Sequence, residues 1–156
     1  MMNFRFEVMQ TTDLDSVMAI EELSQSNPWT KKNFIDCINE KYWNYLLVGE
    51  DNQHQVLGHC ILMPGVDELH LLNISIDPQF RRNHIAWRAL LAIEKTGNDN
   101  GYAKILLEVR RSNIAAVALY EKLGYLLIGA RKGYYPKKDH DQSQREDALV
   151  MEKILN

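Results

Sequence analysis

Several things are scarce in this sequence. It has two cysteines in 156 residues, Cys37 and Cys60, both in apolar stretches and without metal-ligand spacing. A disulfide framework and a cysteine-based zinc site are therefore not expected, and a reduced intracellular compartment is. His54, His59, His70, His84 and His140 show no ligand spacing either, so no metal is expected. Neither cysteine has a legible histidine partner, which argues against a covalent acyl-enzyme. No apolar run approaches a membrane span, and the opening "MMNFRFEVMQ" lacks a signal-peptide core, so a cytoplasmic location is expected. There is no excess of positive charge: 18 Lys+Arg against 21 Asp+Glu give a net charge of −3. A general nucleic-acid binder would carry a basic surface, and direct nucleic-acid binding is not expected. No repeat and no linker-like segment interrupts the chain.

What is present is ordinary globular material, 46% hydrophobic and 25% charged, long enough for one domain over residues 1–156 with a real core. Phe4–Met9 alternates as a strand. Thr12 is placed to cap a helix carrying Leu14, Val17, Met18 and Ile20. After "NPW", Thr30 can cap a second helix, with Phe34, Ile35 and Ile38 on one side. "YLLVGE" and "VLGHCILM" read as a hairpin, and "DELHLLNISI" as a long strand ended by Asp77-Pro78. "QFRRNH" leads into a helix over about Ile85–Gly97. The strand Ala103–Val109 and a helix Ser112–Leu123 follow, with Ser112 as cap and Gly124 just beyond the end. Two more strands, "YLLIGARKGYY" and "DALVMEKIL", flank a long polar loop. The order β-α-α-β-β-β-α-β-α-β-β predicts a mixed α/β sheet with flanking helices, antiparallel at its start and parallel in the middle.

The stretch "KILLEVRRSNIAAVALYEKLGY" carries the chemistry. Glu108 sits in an apolar strand, flanked by Leu107 and Val109, where lost solvation would make it a better base near neutral pH. Leu106 and Arg110 share its side of the strand, so an outward surface position is equally open. Tyr120 lies on the apolar face of the next helix, where a core aromatic is the plainer reading. Three motifs, "LLNISIDPQFRRNHIA", "LEVRRSNIAAVALYEKLGY" and "GYYP…REDALVMEKIL", together with the element order, resemble the GNAT N-acetyltransferase superfamily. Within it they are most similar to the RimI branch, the ribosomal-protein-alanine N-acetyltransferases.

The resemblance implies a GNAT fold whose two middle strands, here Asp67–Ile76 and Ala103–Val109, splay apart. It implies acetyl-CoA as donor and, as acceptor, the N-terminal alanine of the eighteenth small-subunit ribosomal protein, by direct transfer in a ternary complex. Acetylation of other protein N-termini or small amines stays open, as does a CoA-binding module without catalysis. Glu108 matches the family's base and Tyr120 its acid. Asn113 matches a cofactor-contacting asparagine. Ile74, Ser75 and Ile76 match the strand whose main chain pairs with pantetheine. Arg81, Arg82, Asn83, His84, Ile85, Ala86 and Trp87 occupy the pyrophosphate loop and first helical turn, where backbone N–H groups meet the phosphates. His84 stands where the family has glycine, a place that calls for positive φ, which histidine tolerates better than most. Tyr134 and Tyr135 become candidates for the peptide cleft, and Glu68 for the acceptor's basic second residue. The loop 137–144 is longer than usual in the branch.

Overall fold

The structure is a computed structural model and describes residues 2–51, 53–136 and 145–156. The long polar loop, 137–144, lies outside the described residues. The chain forms β1 (Phe4–Val8), α1 (Leu14–Ser24), α2 (Lys31–Asn39), β2 (Trp43–Gly49), β3 (Val56–Pro64), β4 (Glu68–Ile76), α3 (Ile85–Asp99), β5 (Lys104–Arg110), α4 (Ile114–Lys122), β6 (Leu126–Tyr135) and β7 (Glu146–Ile154). Short 3₁₀ turns at Thr11–Asp13 and Pro78–Phe80 precede α1 and α3. No helix among the described residues is long and apolar enough to cross a membrane.

The strands make one seven-stranded mixed sheet in the order β1-β2-β3-β4-β5-β7-β6. β1 and β2, and β2 and β3, pair antiparallel, as the hairpin signals predict. β4 and β5 pair parallel across the α3 crossover, from Glu68↔Lys104 to Leu71↔Leu107. That ladder ends at Leu71, while β4 runs on to Ile76. β7 lies between β5 and β6 and is antiparallel to both.

The backbone divides into two compact units, Met1–Pro64 with Leu72–Ala89, and Gly65–Leu71 with Leu90–Asn156. In the first, Leu14, Val17, Phe34, Leu46, Val48 and Ile61 form a buried cluster that joins α1 and α2 to β2 and β3. A second cluster in that unit, around Leu47, Leu57, Phe80, Ile85 and Ala89, takes in Ile74 and Ile76. Thr30 caps α2 as expected: its hydroxyl accepts from the Asn33 N–H at 3.2 Å, and the Asn33 side chain returns a bond to the Thr30 N–H at 2.8 Å. This reciprocal box satisfies two backbone donors that a helix start leaves open. In the second unit β5 alternates half-buried and buried residues along its length, the mark of a strand with one covered face.

Two expected caps move. Thr12 lies inside the 3₁₀ turn, where Asp13 bonds back to the Gln10 N–H at 2.8 Å, and α1 starts only at Leu14. Ser112 does not cap α4. Asn113 does, accepting from the Ala116 N–H at 3.2 Å, because Ser112 is bound by Glu146 from a distant strand. Gly124 follows the helix with φ +96°, the left-handed turn expected of it.

Candidate active site

The alternation of β5 puts Ile105, Leu107 and Val109 on its buried face and Glu108 on the other, with Leu106 and Arg110. Glu108 is therefore not the desolvated carboxylate that its sequence neighbours suggest. Its side chain is 31% exposed and paired: Arg131 Nη1 donates to both its oxygens, at 2.9 and 3.3 Å. Arg131 reaches it from β6, across β7. The cross-strand partner of both Arg131 and Arg110 is Ala148, a side chain too short to stand between them and their carboxylates.

Arg110 has a carboxylate of its own. Its Nη1 donates to Glu146 at 2.6 Å and to the Pro136 carbonyl at 2.7 Å. Glu146 also accepts from the Ser112 N–H at 3.0 Å and the Ser112 hydroxyl at 2.9 Å. Burial would raise the Glu146 carboxyl, but these bonds from Arg110 and Ser112 outweigh it and hold the group below the usual carboxylate range. Asp147 accepts from the Gly133 N–H at 3.0 Å, where φ is +61°, and from Arg111 at 3.3 Å. The Glu-Asp-Ala run thus fastens β6 and the start of α4 to β5, a role invisible in the sequence because its partners are far along the chain.

That fastening sets two tyrosines over the arginines. The register between β6 and β7 shifts between Arg131 and Tyr135. Tyr135 lies over the Arg110 guanidinium at 4.6 Å and Tyr134 over that of Arg131 at 4.1 Å, and the two rings meet edge to face at 4.9 Å. Burial, and then the Glu108 charge, pushes the Tyr135 phenol up to about 12. Tyr120 is buried on α4, edge to face with Tyr125 at 5.6 Å. Burial, and next the neighbouring Tyr135, raises its phenol well above the ordinary tyrosine value. Tyr135 thus feels Glu108 and Tyr120 feels Tyr135, while Tyr134 joins Tyr135 to the Arg131 that holds Glu108, so the four residues group on β5, β6 and α4 of the second unit. Among the described residues the Tyr120 hydroxyl has no hydrogen-bond partner.

Glu68 is not brought to this cluster. It begins β4 opposite Lys104, four residues back from Glu108, or about 13 Å at the rise of a strand. Its carboxylate bonds His70 at 3.0 Å and lies 4.0 Å from Lys104, so it belongs to a neutralised surface group.

The residues expected to hold the cofactor fall on the first unit, apart from Asn113. In the loop before α3 both Arg82 and His84 are left-handed, at φ +69° and +54°. His84 thus adopts the conformation for which glycine is usual, and its exposed ring leaves the backbone free. The first helical N–H to find a carbonyl is that of Arg88, on His84 at 3.0 Å, so the N–H groups before it are those a helix start leaves open. Among the described residues neither Arg81 nor Arg82 has a carboxylate partner, and both are exposed. Free amides at a helix start beside two unpaired guanidinium groups fit a pyrophosphate. Asn83 bonds the Phe80 carbonyl at 3.1 Å and braces this loop. Asn113 spends its side-chain oxygen on the cap, so its Nδ2 is what it can offer a ligand.

Ile74, Ser75 and Ile76 lie on β4 beyond the end of the β5 ladder. Gly58 allows β3 to come against this segment: a Cβ there would stand 2.4 Å from the Ser75 carbonyl oxygen. Successive strand carbonyls point to opposite edges, so that of Ile74 faces away from β3. Gln25 Nε2 donates to it at 3.1 Å and to the Ser75 hydroxyl at 2.8 Å. An edge with one carbonyl bound by a side-chain amide can accept an extended arm carrying its own amides once that amide yields.

Behind this edge is a buried polar group that sequence reasoning missed. Glu21 and His59 are both 0% exposed. The Glu21 carboxylate accepts from His59 Nε2 at 3.0 Å, Asn73 Nδ2 at 3.0 Å, the Ser75 hydroxyl at 2.9 Å and the Trp29 N–H at 2.9 Å. Burial would raise the Glu21 carboxyl, yet the bonds from His59, Trp29 and Asn73, His59 foremost, hold it below its usual range. The only signals were charge within the apolar stripe of α1 and a histidine inside an apolar strand. Cys37 and Cys60 are buried too, and burial pushes the Cys60 thiol up to about 12, which leaves it a poor nucleophile.

The sequence pattern of the Acetyltransferase (GNAT) family matches residues 14–125. The chain belongs to the GNAT acetyltransferase family. Members of this family draw the acetyl group they transfer from acetyl-CoA. Two GNAT relatives are named [ribosomal protein bS18]-alanine N-acetyltransferase. That of Escherichia coli (strain K12) is 35% identical over 143 residues, covering 92% of each chain. That of Haemophilus ducreyi is 31% identical over 145 residues, covering 93% of this chain and 96% of its own. The crystal structure of the Escherichia coli ribosomal-protein-S18-alanine N-acetyltransferase superposes on this GNAT fold with a TM-score of 0.86 at 33% identity, covering 99% of this chain and 95% of that one.

Proposed function

We propose that this chain, as a single domain over residues 1–156, transfers the acetyl group of acetyl-CoA directly to the α-amine of the N-terminal alanine of ribosomal protein bS18. Two relatives above 30% identity and covered over nine-tenths of their length carry that activity in their names. The observation that carries the chemistry is the cluster of a half-exposed carboxylate, Glu108, with a buried phenol, Tyr120, and Tyr135 between their fields.

An α-amine has a pKa of about 7.7–8.0, so it arrives largely protonated and must lose a proton before it attacks. Glu108 is the base that receives it. As the carbon–nitrogen bond forms, the carbon–sulfur bond breaks, charge gathers on sulfur, and the second proton shed by the nitrogen ends on the departing CoA thiol. Tyr120 meets that charge as a hydrogen-bond donor. Its raised phenol keeps its proton at working pH, which suits stabilising a thiolate better than handing the proton over outright. Tyr134 and Tyr135 wall the place of the peptide. The donor is held by the Arg81–Trp87 segment at its phosphates, by the Ile74–Ile76 main chain along its arm, and by Asn113 Nδ2. A cytoplasmic location goes with this reading.

The test compares kcat/KM for peptides beginning Ala-Arg, acetyl-blocked Ala-Arg, Ala-Glu, an internal-lysine peptide and a polyamine. Ala-Arg with a free amine is expected to lead. A lysine ε-amine, with pKa near 10.4, is about two to three units harder to bring to the neutral form. Glu108→Gln and Tyr120→Phe should each keep the fold, with Glu108→Gln losing roughly 10²-fold or more in rate. Equal or better turnover of the polyamine would overturn the acceptor. Full activity in both variants would overturn the chemistry.

A further inference from the structure

The base assigned to Glu108 is already occupied by a cation, and that cation is not a fixed part of the fold. Two arginines flank Ala148 on the same face, each with a carboxylate and a tyrosine ring. Arg110 is locked: its side chain is 11% exposed, and Glu146 and the Pro136 carbonyl hold it at 2.6 and 2.7 Å. Arg131 is 55% exposed, and Glu108 is its sole ion-pair partner among the described residues. An exposed pair of this kind is weak and exchanges readily. The ring of Tyr134, at 4.1 Å, gives the guanidinium a second seat when the carboxylate is taken.

Resting on the reading of Glu108 as base, we propose that Arg131 is a positioning residue that holds the Glu108 carboxylate in the free enzyme and yields its place to the acceptor's ammonium group. A guanidinium suits this duty because it does not give up its proton under working conditions and so cannot neutralise the base. The incoming ammonium carries the same charge, and it can donate a proton. Exchange of one for the other keeps the carboxylate paired throughout and lets only the acceptor react. No atom is added or lost in the exchange, and the guanidinium moves onto Tyr134.

The other charged and titratable groups facing Glu108 are already committed. Arg110 is held by Glu146 on β7, Glu152 on the same strand lies 3.5 Å from Lys104, and His70 on β4 is bonded to Glu68. Tyr135 on β6 and Tyr120 on α4 are phenols that burial keeps neutral, and Tyr134 lies over the Arg131 guanidinium. Among the described residues, removing Arg131 thus removes the one exchangeable cation beside Glu108. Without it the acceptor's ammonium meets an unpaired carboxylate and has no cation to displace.

The experiment measures kcat and KM for an Ala-Arg peptide at saturating acetyl-CoA in the wild type, Arg131→Gln, Arg131→Lys and Glu108→Gln. With no cation to displace, Arg131→Gln should lower the peptide KM about two- to fivefold, the worth of an exposed pair, and lower kcat by a similar factor because the carboxylate is no longer held. Arg131→Lys keeps a cation on the carboxylate and should bring both constants back toward the wild type. A merely structural role would lower kcat and leave or raise KM, and would not be rescued by lysine. An unchanged or raised KM in Arg131→Gln overturns the inference. Should Arg131→Gln fail to fold, a KM in Arg131→Lys more than about fivefold from the wild type does the same. Wild-type turnover by Glu108→Gln would instead remove the base assignment itself.

Discussion

Glu21→Ala is the most informative perturbation of the fold. Its carboxylate is fully buried and is the common acceptor for four donors from three places: His59 on β3, Asn73 and Ser75 on β4, and the backbone N–H of Trp29 between α1 and α2. Truncation leaves a cavity and four donors facing it. Stranding a buried donor costs about 1–3 kcal/mol, so removing the shared acceptor of four should cost at least about 3–5 kcal/mol. For a chain of this size each kcal/mol moves the midpoint by roughly 2–4 °C, so thermal unfolding followed by circular dichroism at pH 7 should fall by about 6–20 °C. Acid supplies an independent check. The folded Glu21 carboxyl lies below its unfolded value of about 4.3, so its stabilisation is complete above that pH and is lost as pH falls through the folded value. The gap between wild type and Glu21→Ala should accordingly narrow below about pH 4. A midpoint within about 2 °C of the wild type at pH 7, or a gap that widens in acid, would refute the reasoning.

Two further substitutions test the donor-binding edge. Gly58→Ala sets a Cβ 2.4 Å from the Ser75 oxygen and 3.2 Å from the Ile76 Cα, both backbone, so it should destabilise by about 3 kcal/mol and weaken acetyl-CoA binding, measured by denaturant titration and calorimetry. His84→Gly removes a side chain from a left-handed residue while leaving the backbone shape unchanged. CoA affinity of the variant should stay within about threefold of the wild type by calorimetry, because the amides at the helix start keep their places. A loss beyond about tenfold would show that the His84 ring itself contacts the phosphates.

The order and type of every main element were legible, since the period-2 and helical patterns of this chain agree with its caps and breakers. Thr30 and Gly124 could be read because their duties are local. Ser112 and Thr12 could not, because a nearby rule was overridden: by Glu146, thirty-four residues on, and by the turn that Asp13 closes. The same limit hid Arg131. Nothing within a few residues of it hints at Glu108, which it reaches only because β7 places Ala148 between them. Flanking residues suggested a dry Glu108, and the strand's alternation gave the opposite face. Glu21 looked like one more charge on an amphipathic helix, since a polar group with distant partners leaves no periodic trace. His84 was the reverse case, where a departure from the family pattern stated its own conformational requirement.

The strand order β5-β7-β6 has a consequence for when the protein becomes an enzyme. β7 is synthesised after β5 and β6, yet it sits inside the sheet between them. Until it arrives, β6 has no neighbour, β5 lacks one of its two, and neither arginine faces its carboxylate. Chains fold from the N-terminus as they emerge. A nascent copy can therefore assemble the first unit, and with it the donor's edge, long before it has a base in position. With the roles proposed for Glu108 and the Ile74–Ile76 edge, catalytic competence comes in one late step, when Glu146–Ile154 slides between its partners, so a partly translated chain would hold a cofactor but could not spend it.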